Sequence, residues 1–142
     1  MSSLVSVFFY GSFMRPDVLA KSDVHPATFE VATLNGYDIA LDPHANLYPH
    51  PFACVYGILI RASHAQLDRL YGANGVGVFL PEAVLLTVND SRWLPALCFI
   101  PPSRRNQRPD PAYLERLIEA AHLRGLPPHY IARLEKFRAD DA

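Results

Sequence analysis

Gly11, Ser12 and Arg15 follow directly on an apolar run, Leu4 to Tyr10, and stand just before Pro16. That order of residue types suits a site for an anion. A glycine lets the backbone approach a ligand with no Cβ in the way, while the serine hydroxyl adds a donor and the arginine a positive charge. Pro16 is placed to open a helix, whose first N–H groups lack intrahelical partners and attract a carboxylate or phosphate. A buried strand and tight turn without a ligand would carry the same pattern, so this stretch alone leaves both readings open.

The other reactive side chains are less pointed. Asp42, His44 and His50 sit in Asp42 to Phe52, a stretch with three prolines that reads as an irregular loop over the surface or over a site. Their spacing matches no established metal pattern, and solvated loop histidines are the plainer account. Cys54 and Cys98 fall in apolar, strand-like runs with no C-x-x-C or histidine pairing, so free buried thiols are expected rather than a disulfide. Gly72, Gly75 and Gly77 follow a helical stretch and precede a strand, the wrong order for a phosphate loop. Arg104, Arg105 and Arg108 make a basic patch too small, and too short of flanking aromatics, for a nucleic-acid surface.

The chain that positions these residues has 142 of them, half apolar, enough for one domain with a proper core. A net charge of -1 and a pI near 6.6 supply no long-range attraction to nucleic acid or an anionic membrane. No apolar run approaches the length of a membrane span. The N-terminus lacks a basic leader region, so a cytoplasmic location is expected, with a small molecule as the partner.

The first strand, with Val5, Val7, Phe8, Phe9 and Tyr10, does not alternate and should be covered on both faces. A short helix over Asp17 to Ala20 follows, then an alternating strand from Ala27 to Leu34. Asn35-Gly36 leads into Tyr37 to Leu41 as either a two-residue hairpin turn or a bulge within one long strand. Cys54 to Ile60 is a strand in which Gly57 marks a bulge or close approach. Ser63-His64-Ala65-Gln66 has the form of a capping box and opens a short helix through Leu67 and Leu70. Val78 to Val88 and Trp93 to Ile100 read as two strands joined by a turn at Asn89-Asp90-Ser91. Asp110 caps a helix with Pro111 at its first position and an apolar stripe of Leu114, Leu117, Ile118 and Ala121. Gly125 ends that helix, and Pro127-Pro128 starts the last one. Strands followed by two helices indicate an α+β fold, and short, evenly spaced strands suit a small mixed β-barrel with flanking helices.

Phe9-Tyr10-Gly11-Ser12 resembles the Tyr-Gly-Ser signature of the gamma-glutamylcyclotransferase superfamily. Leu34-Asn35-Gly36-Tyr37 looks like its Leu-x-Gly-Tyr, Val55-Tyr56-Gly57-Ile58-Leu59 its Val-x-Gly-x-Leu strand, and Leu67-Asp68 its Leu-Asp on the short helix. Pro111-Ala112-Tyr113-Leu114 and Gly125-Leu126-Pro127 with Tyr130 resemble its C-terminal pattern. The resemblance spans nearly the whole chain in the right order. It implies a small β-barrel with flanking helices and a reaction in which the α-amine of a γ-glutamyl group attacks its own side-chain carbonyl, giving 5-oxoproline and releasing an amine or amino acid. No metal or organic cofactor is implied. In this reading Tyr10, Gly11, Ser12 and Arg15 hold the substrate, and Tyr113 hydrogen-bonds it.

One position departs from the family. Its general base is a glutamate after Leu-Asp, as in Leu-Asp-x-x-Glu-Gly, and here Leu67-Asp68-Arg69-Leu70-Tyr71-Gly72 puts Tyr71 in that place. A phenol, with a pKa of ~10, is a poor base at neutral pH. The best substitute is Glu82, which enters an apolar strand where burial would raise its pKa toward a working range; an outward-facing strand glutamate is the competing reading. The function expected is therefore cyclotransfer on a γ-glutamyl amine or peptide with Glu82 as acid and base. The alternatives are a small-carboxylate-binding module without catalysis, or another amide chemistry in the same pocket.

Overall fold

The opening apolar run forms β1 (Leu4–Phe9) and breaks at Gly11 into a single 3-10 turn, Ser12–Met14, followed by the short helix α1 (Pro16–Ala20). The structure is a computed structural model that describes residues 3–72, 78–102 and 107–141. The glycines at 75 and 77 and the arginines at 104 and 105 lie outside these residues. Val7, Phe8 and Phe9 are all buried, which accounts for the missing alternation: β1 has neighbours on both faces.

Next come β2 (Glu30–Leu41) and β3 (Ala45–Ser63), a long antiparallel pair. Gly36 adopts φ +86° at a register shift between Asn35 and Tyr37, so Asn35-Gly36 is a bulge inside one strand and not a hairpin turn. The loop expected over Asp42 to Phe52 is mostly strand. Only the residues before Ala45 turn, closed by the Asp42 N–H donating to the His44 carbonyl at 3.0 Å. Pro49 and Pro51 are tolerated because the ladder jumps there from the Asn35–Cys54 pair to the Tyr37–Pro49 pair, leaving positions where no N–H is demanded. Gly57 allows a close approach: a Cβ there would lie 2.2 Å from the Phe9 carbonyl oxygen.

The capping box forms as expected. Ser63 Oγ receives the Gln66 N–H at 3.1 Å, and Gln66 Oε1 receives the Ser63 N–H at 2.9 Å, opening α2 (His64–Tyr71). β4 (Leu80–Val88) and β5 (Arg92–Ile100) form the expected hairpin, with Asn89 and Asp90 at positive φ in its turn. The sheet runs β1-β3-β2-β4-β5 and curls until β5 meets β1 in parallel. That closing seam is short, Val7 against Leu97 and Phe8 against Cys98; the rest is a strongly curved antiparallel sheet.

Two helices complete the α+β fold. Asp110 Oδ1 accepts the Ala112 and Tyr113 N–H groups at the start of α3 (Pro111–Arg124), and Gly125, at φ +78°, ends it in the left-handed conformation. α4 (Pro128–Glu135) follows, buried through Tyr130, Ile131 and Leu134. The stripe of α3 is buried at Tyr113, Leu114, Leu117, Ile118 and Ala121. Its last turn is tied to the opening segment by Arg124 Nε, which donates to the Met14 carbonyl at 2.8 Å. That bond brings α3 alongside the turn after β1. No described helix is long and apolar enough to cross a membrane.

Candidate functional site

Where β1 ends, the Gly11–Ser12 turn, the tip of α2 and the first turns of α3 enclose a cavity of about 540 Å³. Six of the residues singled out from sequence come together in its lining: Tyr10, Gly11, Ser12, Arg15, Tyr71 and Tyr113. Glu82 is not among them. It is exposed near the start of β4, opposite Cys98 in the β4–β5 pairing, so the burial expected for its carboxyl does not occur. The strand is apolar in sequence, but its first residues, paired with β5 and not with β2, are exposed to solvent.

Tyr113 is the best-tied polar group of the cavity. Its hydroxyl receives the Ala45 N–H at 3.2 Å, with the amide and hydroxyl of Ser12 as further nearby donors. Burial raises its pKa, and those donors only partly offset the effect. The group is therefore a neutral phenol that accepts from the Ala45 N–H and keeps its own O–H as a donor. Gly11 is required beside it, since a Cβ there would come within 2.9 Å of the Tyr113 hydroxyl and 3.3 Å of Ala45 Cβ.

Tyr10 also lines the cavity, but its hydroxyl donates to the Phe99 carbonyl at 2.8 Å. Burial, with the nearby Cys98, pushes its phenol far above the ordinary value. It contributes ring surface, not a proton. Tyr71 stacks on Phe99 with ring centroids 4.0 Å apart and meets Phe13 edge-on at 5.1 Å. Burial raises its pKa as well, so the position of the family glutamate is filled by a neutral aromatic ring in an aromatic wall. Arg15 is spent on Asp17, which it grips through Nε and Nη2 at 2.9 and 3.1 Å, and this hydrogen bonding holds the Asp17 carboxyl below its usual range.

Sequence reasoning missed three charged residues of the lining, Asp17, Lys21 and Arg116, and weighed His44 only within a histidine loop open to a metal or to another amide chemistry. Arg116 could have been found from Tyr113, because residues three apart on a helix share a face; Lys21 carried no signal. The lining thus holds three cationic side chains against one carboxylate, and that carboxylate is already paired. Among the described residues no three His, Cys, Asp or Glu groups converge to hold a metal ion. The cysteines are unlinked, and burial, with the charge of Glu82 second, pushes the Cys98 thiol up to about 12, which leaves it inert.

The model of the AIG2-like family matches residues 54–134. The chain belongs to the AIG2-like family. Solved structures show how far the fold of this AIG2-like protein is shared. A gamma-glutamyl cyclotransferase superposes with a TM-score of 0.83 at 19% identity, over 94% of this chain and 87% of that one. An uncharacterized protein from Homo sapiens gives 0.81 at 20% identity, over 93% and 86%. YkqA from Bacillus subtilis gives 0.79 at 22%, over 94% of this chain and 54% of that one. No curated protein matches the sequence. The AIG2-like chain therefore has the gamma-glutamylcyclotransferase-like fold, and at these identities the likeness concerns the fold alone.

Proposed function

We propose that this AIG2-like protein acts on a small γ-glutamyl compound, closing the glutamyl group to 5-oxoproline and releasing the amine. The observation that carries the reading is the Tyr113 hydroxyl, a neutral phenol in the cavity lining that is held by the Ala45 N–H beside the Gly11-Ser12 turn. It is a preorganised donor at the floor of a cavity that admits a folded dipeptide-sized ligand. In the reaction the α-amine nitrogen bonds to the γ-carbonyl carbon, and the oxygen gains negative charge. A fixed O–H aimed at that oxygen stabilises the tetrahedral state more than the ground state. Lys21 and Arg116 at the rim draw the carboxylates of the ligand inward, and Gly11 lets the substrate lie against the backbone. The rings of Tyr10 and Tyr71 confine it to the folded shape in which amine and carbonyl meet. No cofactor is invoked.

The reading is tested by incubating the purified protein with γ-glutamyl dipeptides, glutathione and γ-glutamyl amines and detecting 5-oxoproline by mass spectrometry. Product is expected from at least one class, with kcat reduced by about a hundred- to a thousandfold in Tyr113→Phe. Glu82→Gln is expected to retain turnover, since the side chain lies outside the cavity lining. No product from any class, together with a rise in melting temperature on adding the same compounds, would replace this reading with a carboxylate-binding module. The aromatic ring at Tyr71, in place of the family glutamate, is the observation that favours that second reading.

A further inference from the structure

The proposed reaction needs a group that takes a proton from the substrate ammonium and returns it to the leaving amine, and neither Tyr71, a neutral phenol in the aromatic wall, nor Glu82, outside the cavity lining, does so. We propose that His44 is that proton carrier, an inference that rests on the cyclotransfer reading of the same cavity. His44 lines the cavity together with Gly11, Ser12 and Tyr113. Its ring lies against the Tyr113 ring with centroids 4.5 Å apart and 30° between planes. Its Nε2 is 3.9 Å from Asp110 Oδ2, and its side chain keeps 63% of its exposure.

The placement is built from both sides. Asp110 uses one carboxylate oxygen to cap α3 and turns the other toward His44. Its N–H donates to the Pro43 carbonyl at 3.2 Å, and the next residue along, Ala45, donates to Tyr113 at 3.2 Å. The helix start that positions the proposed oxyanion donor therefore also positions the imidazole. With the Nε2 proton directed at Asp110, Nδ1 is the basic nitrogen. An imidazole is the side chain that exchanges a proton near neutral pH.

The atoms balance without any further reactant. Nδ1 takes one proton from the α-ammonium, and the freed amine forms the N–C bond to the γ-carbonyl carbon. The tetrahedral intermediate then loses its C–N bond as its oxygen re-forms the carbonyl; the leaving nitrogen receives one proton from the imidazolium, and the ring nitrogen's remaining ammonium proton passes through solvent to the released amine, which departs as its ammonium. The charged groups that share this space are Asp110, the cap of α3, Arg116 of α3, and Arg15, Asp17 and Lys21 around α1, with the Tyr113 phenol neutral.

The test compares the unaltered protein with His44→Gln and His44→Ala, using the γ-glutamyl substrate that gives most 5-oxoproline. His44→Gln should lower kcat by about a hundredfold or more with KM changed much less, and added imidazole should restore part of the rate in His44→Ala. The kcat of the unaltered protein should fall on the acid side with a single protonation, a limb that disappears in His44→Gln. Full kcat in His44→Gln with the acid limb intact overturns the inference and leaves cyclotransfer standing. Absence of 5-oxoproline from the unaltered protein overturns both. If the variants do not fold, the pH profile of the unaltered protein decides: a rate flat from pH 5 to 8, roughly the range over which imidazoles titrate, overturns the role of His44.

Discussion

At the scale of single residues, Gly57 is held as glycine by what stands opposite it. A Cβ at Gly57 would meet the Phe9 carbonyl at 2.2 Å and the Phe8 ring at 2.9 Å. Since Phe8 and Phe9 pair with Leu59 and Ile58 of β3, the strands themselves would have to part. Gly57→Ala should destabilise the fold by at least ~2 kcal/mol, in the upper range of overpacking costs, read as a lowered midpoint in urea. Tyr113 shows the opposite dependence, on a hydrogen bond. Tyr113→Phe leaves the Ala45 N–H without its acceptor in a buried setting, a loss of about 1–3 kcal/mol. Its melting temperature should fall along with its turnover, while the far-ultraviolet circular dichroism is unchanged.

At the scale of elements, α4 is fastened to β2 by charge. Asp38 accepts from Arg133 Nη2 at 3.3 Å, from the Tyr48 hydroxyl at 3.0 Å and from the Ile39 N–H at 2.8 Å. Partial burial pushes its pKa up, but the Ile39 N–H, Arg133 and the Tyr48 hydroxyl outweigh that and leave the carboxyl below its ordinary value. A carboxylate depressed in the folded state stabilises the protein above its unfolded pKa and loses that contribution as pH falls through the folded one. Stability should thus decline from about pH 4 downward, starting from the unfolded aspartate value, and Asp38→Asn should flatten that decline, as measured by thermal unfolding across pH. The capping box at Ser63 is a second local device. Ser63→Ala removes the acceptor for the Gln66 N–H and should cost about 1 kcal/mol, loosening α2 and the Tyr71 ring it carries.

At the scale of the whole molecule, closure of the sheet brings together segments far apart in the chain. Tyr10 bonds to Phe99, Arg124 to Met14, and Tyr113 to Ala45. The cavity exists only where these three long-range links converge. Its rim charges, Lys21 and Arg116, are exposed, so their pull on an anion is screened by salt. A γ-glutamyl ligand at a hundred times its Kd should add about 2.7 kcal/mol to stability, read as a higher melting temperature. Its Kd should rise when ionic strength goes from 0.05 to about 0.5 M, over which the Debye length shrinks several-fold.

The local elements were legible in the chain because their signals are local: the Ser63–Gln66 box, the Asp110 cap with Pro111, the left-handed Gly125, and the unalternating β1. The turn at Gly11-Ser12 was legible for the same reason, and the ordered motifs pointed to the family to which the chain belongs. The boundary of β3 was not, because prolines that normally exclude a strand are harmless at a register shift, and register is a property of two strands. The environment of Glu82 was not legible either, since an apolar strand says nothing about which of its ends is left uncovered; here the first residues of β4 pair with β5 alone. His44 looked like a loop residue in sequence. Only the tertiary structure set it on Tyr113 and beside Asp110, because the start of α3 docks on the turn between β2 and β3, and no spacing along the chain encodes that contact.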